Sequence, residues 1–166
     1  QKDLAKKYGI YGFCYYHYWF GNGKQMLELP LQEVVKTKSP DFPFCICWAN
    51  HSWYKKTWDS SKSTLNKESL IEQEYPGNED DDKHFYSLLD TFKDDRYYKI
   101  DNQLVFVIYH IDEMPNPKAF IERWQDLAKK EGILCGISSG AAVFAAIELS
   151  KNFKNKNIRT NFNFGS

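Results

Sequence analysis

Apolar residues along this chain fall into tight runs and spaced sets, and the two kinds predict different elements. Residues 10–17, 42–49 and 104–109 are nearly continuous apolar and aromatic runs. Strands buried on both faces of a parallel sheet have that texture. Between them, Met26, Leu27, Leu31, Val34 and Val35 recur at helical spacing over residues 26–37. Phe85, Leu88, Leu89 and Phe92 form a second such stripe, and Phe120, Ile121, Trp124, Leu127 and Ala128 a third over residues 117–131. The chain opens on the last turns of a helix, with Gly9 as its stop and the suggestion of a missing upstream part. Strand, helix and strand repeat at βαβ spacing.

The remaining segments are less regular. Residues 50–78 read as a long polar and aromatic loop with a short strand at 70–73, and Asp101-Asn102 as a hairpin turn. The acidic run 79–82 suits a helix N-terminus, where carboxylates oppose the macrodipole. His84, four residues after Asp80, reads as its surface partner on that helix. Beyond Gly132 the texture changes to a small-residue loop, an Ala-rich helix over 141–149 and a Lys- and Asn-rich frayed tail. The expected division is therefore residues 1–131 and residues 132–166.

Charge excludes some functions. Lys and Arg number 22, as do Asp and Glu, so the net charge is zero and neither nucleic acid nor a basic membrane contact is expected. A mean hydropathy of -0.62 and the lack of a long apolar run argue against a membrane span. No leader pattern opens the chain, and Cys14, Cys45, Cys47 and Cys135 form no C-x-x-C pair. Reduced, packed thiols and a cytoplasmic location are the expectation.

Five Trp, eleven Tyr and twelve Phe make up 17% of the chain, bunched rather than scattered. All three runs finish alike: His17-Tyr18-Trp19, Trp48-Ala49-Asn50-His51 and Tyr109-His110. Ligands in parallel α/β folds bind outside the carboxyl ends of the strands. Flat rings with hydrogen-bonding tips suit sugars, so Tyr16, His17, Tyr18, Trp19, Trp48, Asn50 and Trp53 are the expected substrate contacts. The alternative, that each ring caps the core, stays open. His17, His51 and His110 are further candidates, but no histidine spacing predicts a metal. A carboxylate pair at a strand end is also missing, and Asp112-Glu113 sit in a connecting loop, so the catalytic residues stay unknown.

Three stretches carry a resemblance: LAKKYGIYGFCYYHYWF over 4–20, PDFPFCICWAN over 40–50 and FKDDRYYKID over 92–101. Over residues 1–131 they resemble the WbsX family of polysaccharide-biosynthesis glycosyltransferases, related to glycoside hydrolase family 99. The resemblance implies an α/β fold, here a partial (β/α)8 barrel of about three βα units, and a glycan or nucleotide-sugar substrate. Two positions depart from the family. Trp48-Ala49-Asn50-His51-Ser52-Trp53 stands where relatives carry Trp-Ala-Asn-Glu-Asn-Trp, and Tyr109-His110-Ile111 where they carry Tyr-Arg-Pro. The family's downstream acidic segment has no counterpart. Open sheet edges and self-association are then expected.

EGILCGISSGAAV over 131–143 is similar instead to the C-terminal region of cysteine synthases. That likeness implies a vestigial pyridoxal-phosphate contact at Ser138, without the Schiff-base lysine or the phosphate loop, so no cofactor is expected. The chain reads as a fusion of two fragments with little activity. The alternatives are a non-catalytic interaction fragment or a fusion fragment related to cysteine synthase.

Overall fold

The computed structural model describes residues 1–59, 64–133 and 135–136, and for 56–59, 64–67 and 135–136 the backbone alone. The Ser138 contact, the Ala-rich helix and the tail lie outside the described residues.

A short helix α1 (Lys2–Lys7) leads through Gly9 into strand β1 (Phe13–Trp19). Next come β2 (Gln25–Met26), helix α2 (Leu29–Thr37) and β3 (Phe44–Trp48). A hairpin of β4 (Trp53–Asp59) and β5 (Thr64–Ile71) follows, then α3 (Asn78–Ser87) and α4 (Leu89–Phe92). The described chain closes with β6 (Lys99–Ile100), β7 (Gln103–Ile108), α5 (Pro117–Lys130) and β8 (Cys135–Gly136). The main sheet runs β2-β1-β3-β7-β6, with β8 also paired to β7, and β4-β5 form a separate ribbon. The three apolar runs are its parallel centre: β1 pairs with β3 and β3 with β7.

Local chemistry explains most boundaries. Asn116 caps α5 by accepting from the Ala119 amide at 3.1 Å, and Pro117 fits the first turn. Asp101 and Asn102 take left-handed φ of 50° and 63°, as a two-residue hairpin turn demands. β1 begins three residues later than the run predicts. At Gly12 a Cβ would meet the Pro43 carbonyl oxygen at 2.6 Å, so this position serves close approach rather than strand. The long loop expected at 50–78 is corrected to an antiparallel hairpin; its lysines and serines hide the alternation that a half-buried strand displays.

Alternation across the sheet separates two faces. Phe44, Ile46 and Trp48 lie beside Phe106 and Ile108 on one face and form the core with Phe85, Phe92, Phe120 and Trp124 of the helices. Cys14, Tyr16, Cys45 and Cys47 lie on the other, where Cys14 and Tyr16 are exposed. The expectation of strands buried on both faces is thus met on one face only for β1.

At the N-terminal end of β3 an ion pair ties three segments together. Arg96 binds Asp94 through Nε at 2.9 Å and Nη2 at 2.7 Å, and donates to the carbonyls of Pro40 and Val34, each at 2.8 Å. Lys38 reaches the same buried carboxylate at 2.9 Å. The hydrogen bonds from Arg96, which outweigh burial, hold the Asp94 carboxyl well below the usual carboxylate range. A depressed carboxylate stabilises the fold above its unfolded pKa of about 4 and stops doing so as pH falls below it. Asp94→Asn should therefore cost about 2–4 kcal/mol at neutral pH in urea unfolding. That gap between wild type and variant should shrink as the pH is lowered below about 4.

Candidate functional site

The site is built at the carboxyl ends of β1, β3 and β7, where the pleat sorts the strand-ending aromatics into two sets. His17 and Trp19 point to the helix side, at 4% exposure each, while Tyr16 is 55% exposed. His17 Nε2 lies 2.9 Å from His84 Nε2 of α3, one nitrogen donating and the other accepting. His84 is stacked on Trp19 at 4.7 Å and meets the Trp124 edge at 4.8 Å. Trp19 Nε1 donates to Asp80 Oδ2 at 2.8 Å, and Gly23 N to Oδ1 at 3.0 Å. The surface pair expected of Asp80 and His84 is therefore corrected: both are buried and each binds β1 or the turn after it. Helical spacing fixed which residues share a face but not which way that face turns.

Trp48 and Asn50 are also internal. Trp48 Nε1 donates to the Trp19 carbonyl at 2.9 Å. Asn50, with 0% exposure, accepts from the His110 amide at 2.7 Å and donates to the His110 carbonyl at 2.6 Å and to the Tyr75 hydroxyl at 3.0 Å. This side-chain amide pairs with the backbone of His110 and fastens the end of β3 to the end of β7. Of the expected contacts, then, His17, Trp19, Trp48 and Asn50 lie beneath the surface and support it.

Tyr16, Tyr18 and Trp53 are the expected contacts that reach solvent, and they continue through Tyr109, which the sequence set omitted, to the further candidates His51 and His110. Trp53 meets Tyr18 edge-on at 5.2 Å, Tyr18 neighbours Tyr16 at 6.3 Å, and Tyr16 meets Tyr109 at 6.3 Å. Tyr109 then contacts His51 at 5.6 Å and His110 at 4.6 Å. The result is a band of rings across three strand ends. The repeated polar-aromatic ending of Tyr109-His110 was the signal that could have added Tyr109.

Polar groups edge the band. His51 Nδ1 and Gln73 Oε1 are buried atoms without a partner among the described residues. His110 Nδ1 lies 3.7 Å from Asp112 and 3.8 Å from Glu113, which brings two loop carboxylates to the rim. Burial raises the Tyr16 and Tyr18 hydroxyls above their ordinary values, so both stay protonated and able to donate at neutral pH. Burial, and then the nearby His110, lowers His51, which keeps it neutral. A separate cleft of about 510 Å³ beside Asn22, Gly77 and Lys83 lies at the N-terminus of α3, whose Asp80 carboxylate is already bound to Trp19 and Gly23. Among the described residues no three His, Cys, Asp or Glu side chains are grouped to hold a metal, and no helix is long and apolar enough to cross a membrane.

A family model described as Glycosyltransferase WbsX matches residues 1–164. The chain belongs to the WbsX glycosyltransferase family. Two curated relatives, each called Uncharacterized protein WxcX, come from strain B100 and a second strain of Xanthomonas campestris pv. campestris. Each is 31% identical over 134 residues, which is 80% of this chain and 18% of the relative. This WbsX-family chain therefore spans under a fifth of the length of those relatives. A cysteine synthase of Buchnera aphidicola subsp. Schizaphis graminum is 65% identical over 34 residues, 19% of this chain and 11% of that protein. No solved structure matches.

The buried histidine pair makes stability depend on pH. Burial lowers His17 to about 4, and burial together with His17 lowers His84 well below its ordinary value. Protonation thus favours the unfolded chain, so stability is full above about pH 6.5 and falls as the pH drops toward 4. Asp81, pushed up to about 6 by burial and Asp80, acts in the opposite sense. The readout is therefore a difference: the urea midpoint should drop further on acidification in wild type than in His84→Gln, which cannot take the proton.

Proposed function

We propose that this chain forms one sector of a (β/α)8 barrel whose strand ends bind a glycan or nucleotide-sugar in polysaccharide synthesis or processing. The observation that carries the reading is the open band from Trp53 through Tyr18 and Tyr16 to Tyr109 and His51 at the ends of parallel strands. Sugar rings present C–H faces to such aromatics and hydroxyls to polar tips. The Tyr16 and Tyr18 hydroxyls supply those tips. Family membership supports the same substrate class.

His17, Trp19, Trp48 and Asn50 serve as positioning residues under the band. Binding, rather than turnover, is the activity assigned to this chain. Glycosyl chemistry needs proton-transfer groups or paired carboxylates held about one bond. Asp112 and Glu113 are 81% and 50% exposed, without firm partners to orient them. The cysteine-synthase-like segment from 132 onward belongs to the same reading as a piece of separate descent, with no cofactor chemistry of its own.

A second reading is a non-catalytic interaction fragment. It is favoured by the sheet face bearing Cys14, Tyr16 and Tyr109, which stays open to solvent. Light scattering after size exclusion separates the two, since a stable oligomer that binds no glycan supports the second.

The test of the first is a glycan array, followed by saturation-transfer measurements with the best-bound glycan. Tyr16→Ala with Trp53→Ala should weaken binding about 5- to 150-fold, at about 0.5–1.5 kcal/mol per ring. Binding that survives the double substitution unchanged overturns the site.

A further inference from the structure

We propose that Asn22 is a modification site, a side-chain amide set to cyclise onto its own backbone and lose ammonia, which the Asp80 carboxylate holds intact by binding the Gly23 amide. Asn22-Gly23 is the single Asn-Gly pair in the sequence. It occupies the turn between β1 and β2, where Asn22 and Gly23 have φ of 52° and 73° and Lys24 N donates to the Gly21 carbonyl at 2.9 Å. A two-residue hairpin turn of type I′ needs positive φ at both positions, and Asn-Gly meets that need with little strain. The same choice creates a chemical weakness. Residue 23 has no side chain to cover its nitrogen, and a Cβ there would meet nothing within 4 Å. Both residues are exposed, so water reaches them.

The chemistry needs only water. The Gly23 amide gives up its proton and its nitrogen attacks Asn22 Cγ. A C–N bond forms, the bond from Cγ to the side-chain nitrogen breaks, and ammonia carries the proton away. Water then opens the cyclic imide at either carbonyl, leaving aspartate or isoaspartate in place of the asparagine.

Three contacts oppose the first step. Gly23 N donates to Asp80 Oδ1 at 3.0 Å, and Trp19 Nε1 donates to Oδ2 of the same carboxylate at 2.8 Å, which keeps it in place. Removing the Gly23 proton would set an amide anion against a carboxylate at hydrogen-bond distance, and like charges that close repel strongly where water is partly excluded. Asn22 Nδ2, the departing nitrogen, is tied to Glu74 Oε2 at 2.6 Å. Conversion would face Glu74 with a second carboxylate, and the isoaspartate form lengthens the turn that pairs Trp19 with Gln25. The modification therefore loosens the strand end on which Tyr18 and Trp19 stand.

The experiment incubates the full chain in mildly alkaline buffer, once native and once in urea, and follows the tryptic peptide 8–24 by mass spectrometry. Conversion in the native chain should run about 10- to 150-fold slower than in urea, the span that a hydrogen bond to a charged acceptor supplies. Asp80→Asn, which keeps the shape but removes the charge, should convert about 5- to 10-fold faster than wild type under native conditions. Hydrogen exchange of the wild-type chain is a second readout that needs no variant: the Gly23 amide, although in an exposed turn, should exchange more slowly than a free amide. Equal rates in the native chain and in urea, an Asp80→Asn rate equal to that of wild type, or a Gly23 amide exchanging at the free rate overturns the inference.

Discussion

The pleat of β1 sends neighbouring side chains to opposite faces of the sheet, and helices α3 and α5 pack on one of those faces. His17 and Trp19 meet His84, Phe85 and Trp124 there, while Tyr16 and Tyr18 face the other way. Shifting that strand by one residue would bury the tyrosines and expose the histidine and tryptophan. The contacts at His84 and Asp80 guard against such a slip. Each binds a specific polar atom of β1 or its turn, at 2.9 Å from His17 and 2.8 Å from Trp19. A hydrophobic contact tolerates some sliding, whereas a buried polar pair loses its partner when displaced.

The second consequence is that the site rests on groups that never touch solvent. Asn50 joins the end of β3 to the end of β7 through two hydrogen bonds to the His110 backbone, with a third to the Tyr75 hydroxyl, and so sets where Tyr109 and His110 stand relative to His51. Trp48 holds the Trp19 carbonyl and with it the end of β1. Rigid support beneath an open aromatic surface lowers the entropy that a ligand must overcome on docking.

The three parallel strands, the helices at 29–37 and 117–130 and the turn at Asp101-Asn102 were legible because each rests on periodicity or on turn chemistry. The polar-aromatic strand endings lie together at one end of the sheet, as their shared pattern suggested. Which of those residues reach solvent was not legible. In a run such as 13–19 every position is aromatic or apolar except His17, so hydropathy gives no phase, and the phase decides between a sugar platform and a core. His84 misled for the opposite reason. A polar residue beside an acidic run looks like surface, yet its partner His17 is 67 residues away in sequence. The hairpin of β4 and β5 was missed because its alternation is among polar residues, and pairing rather than burial defines it.

The two-faced strand is the claim from which the others follow, and hydroxyl-radical footprinting of the native chain tests it most directly. Oxidation mapped by peptide mass spectrometry should fall on Tyr16 and Tyr109, which are 55% and 43% exposed. Trp19 and Trp48, at 4% and 2%, should stay protected until the chain is unfolded in urea, despite their greater intrinsic reactivity. Native-state labelling of Trp19 and Trp48 at the rate of Tyr16 would contradict the account.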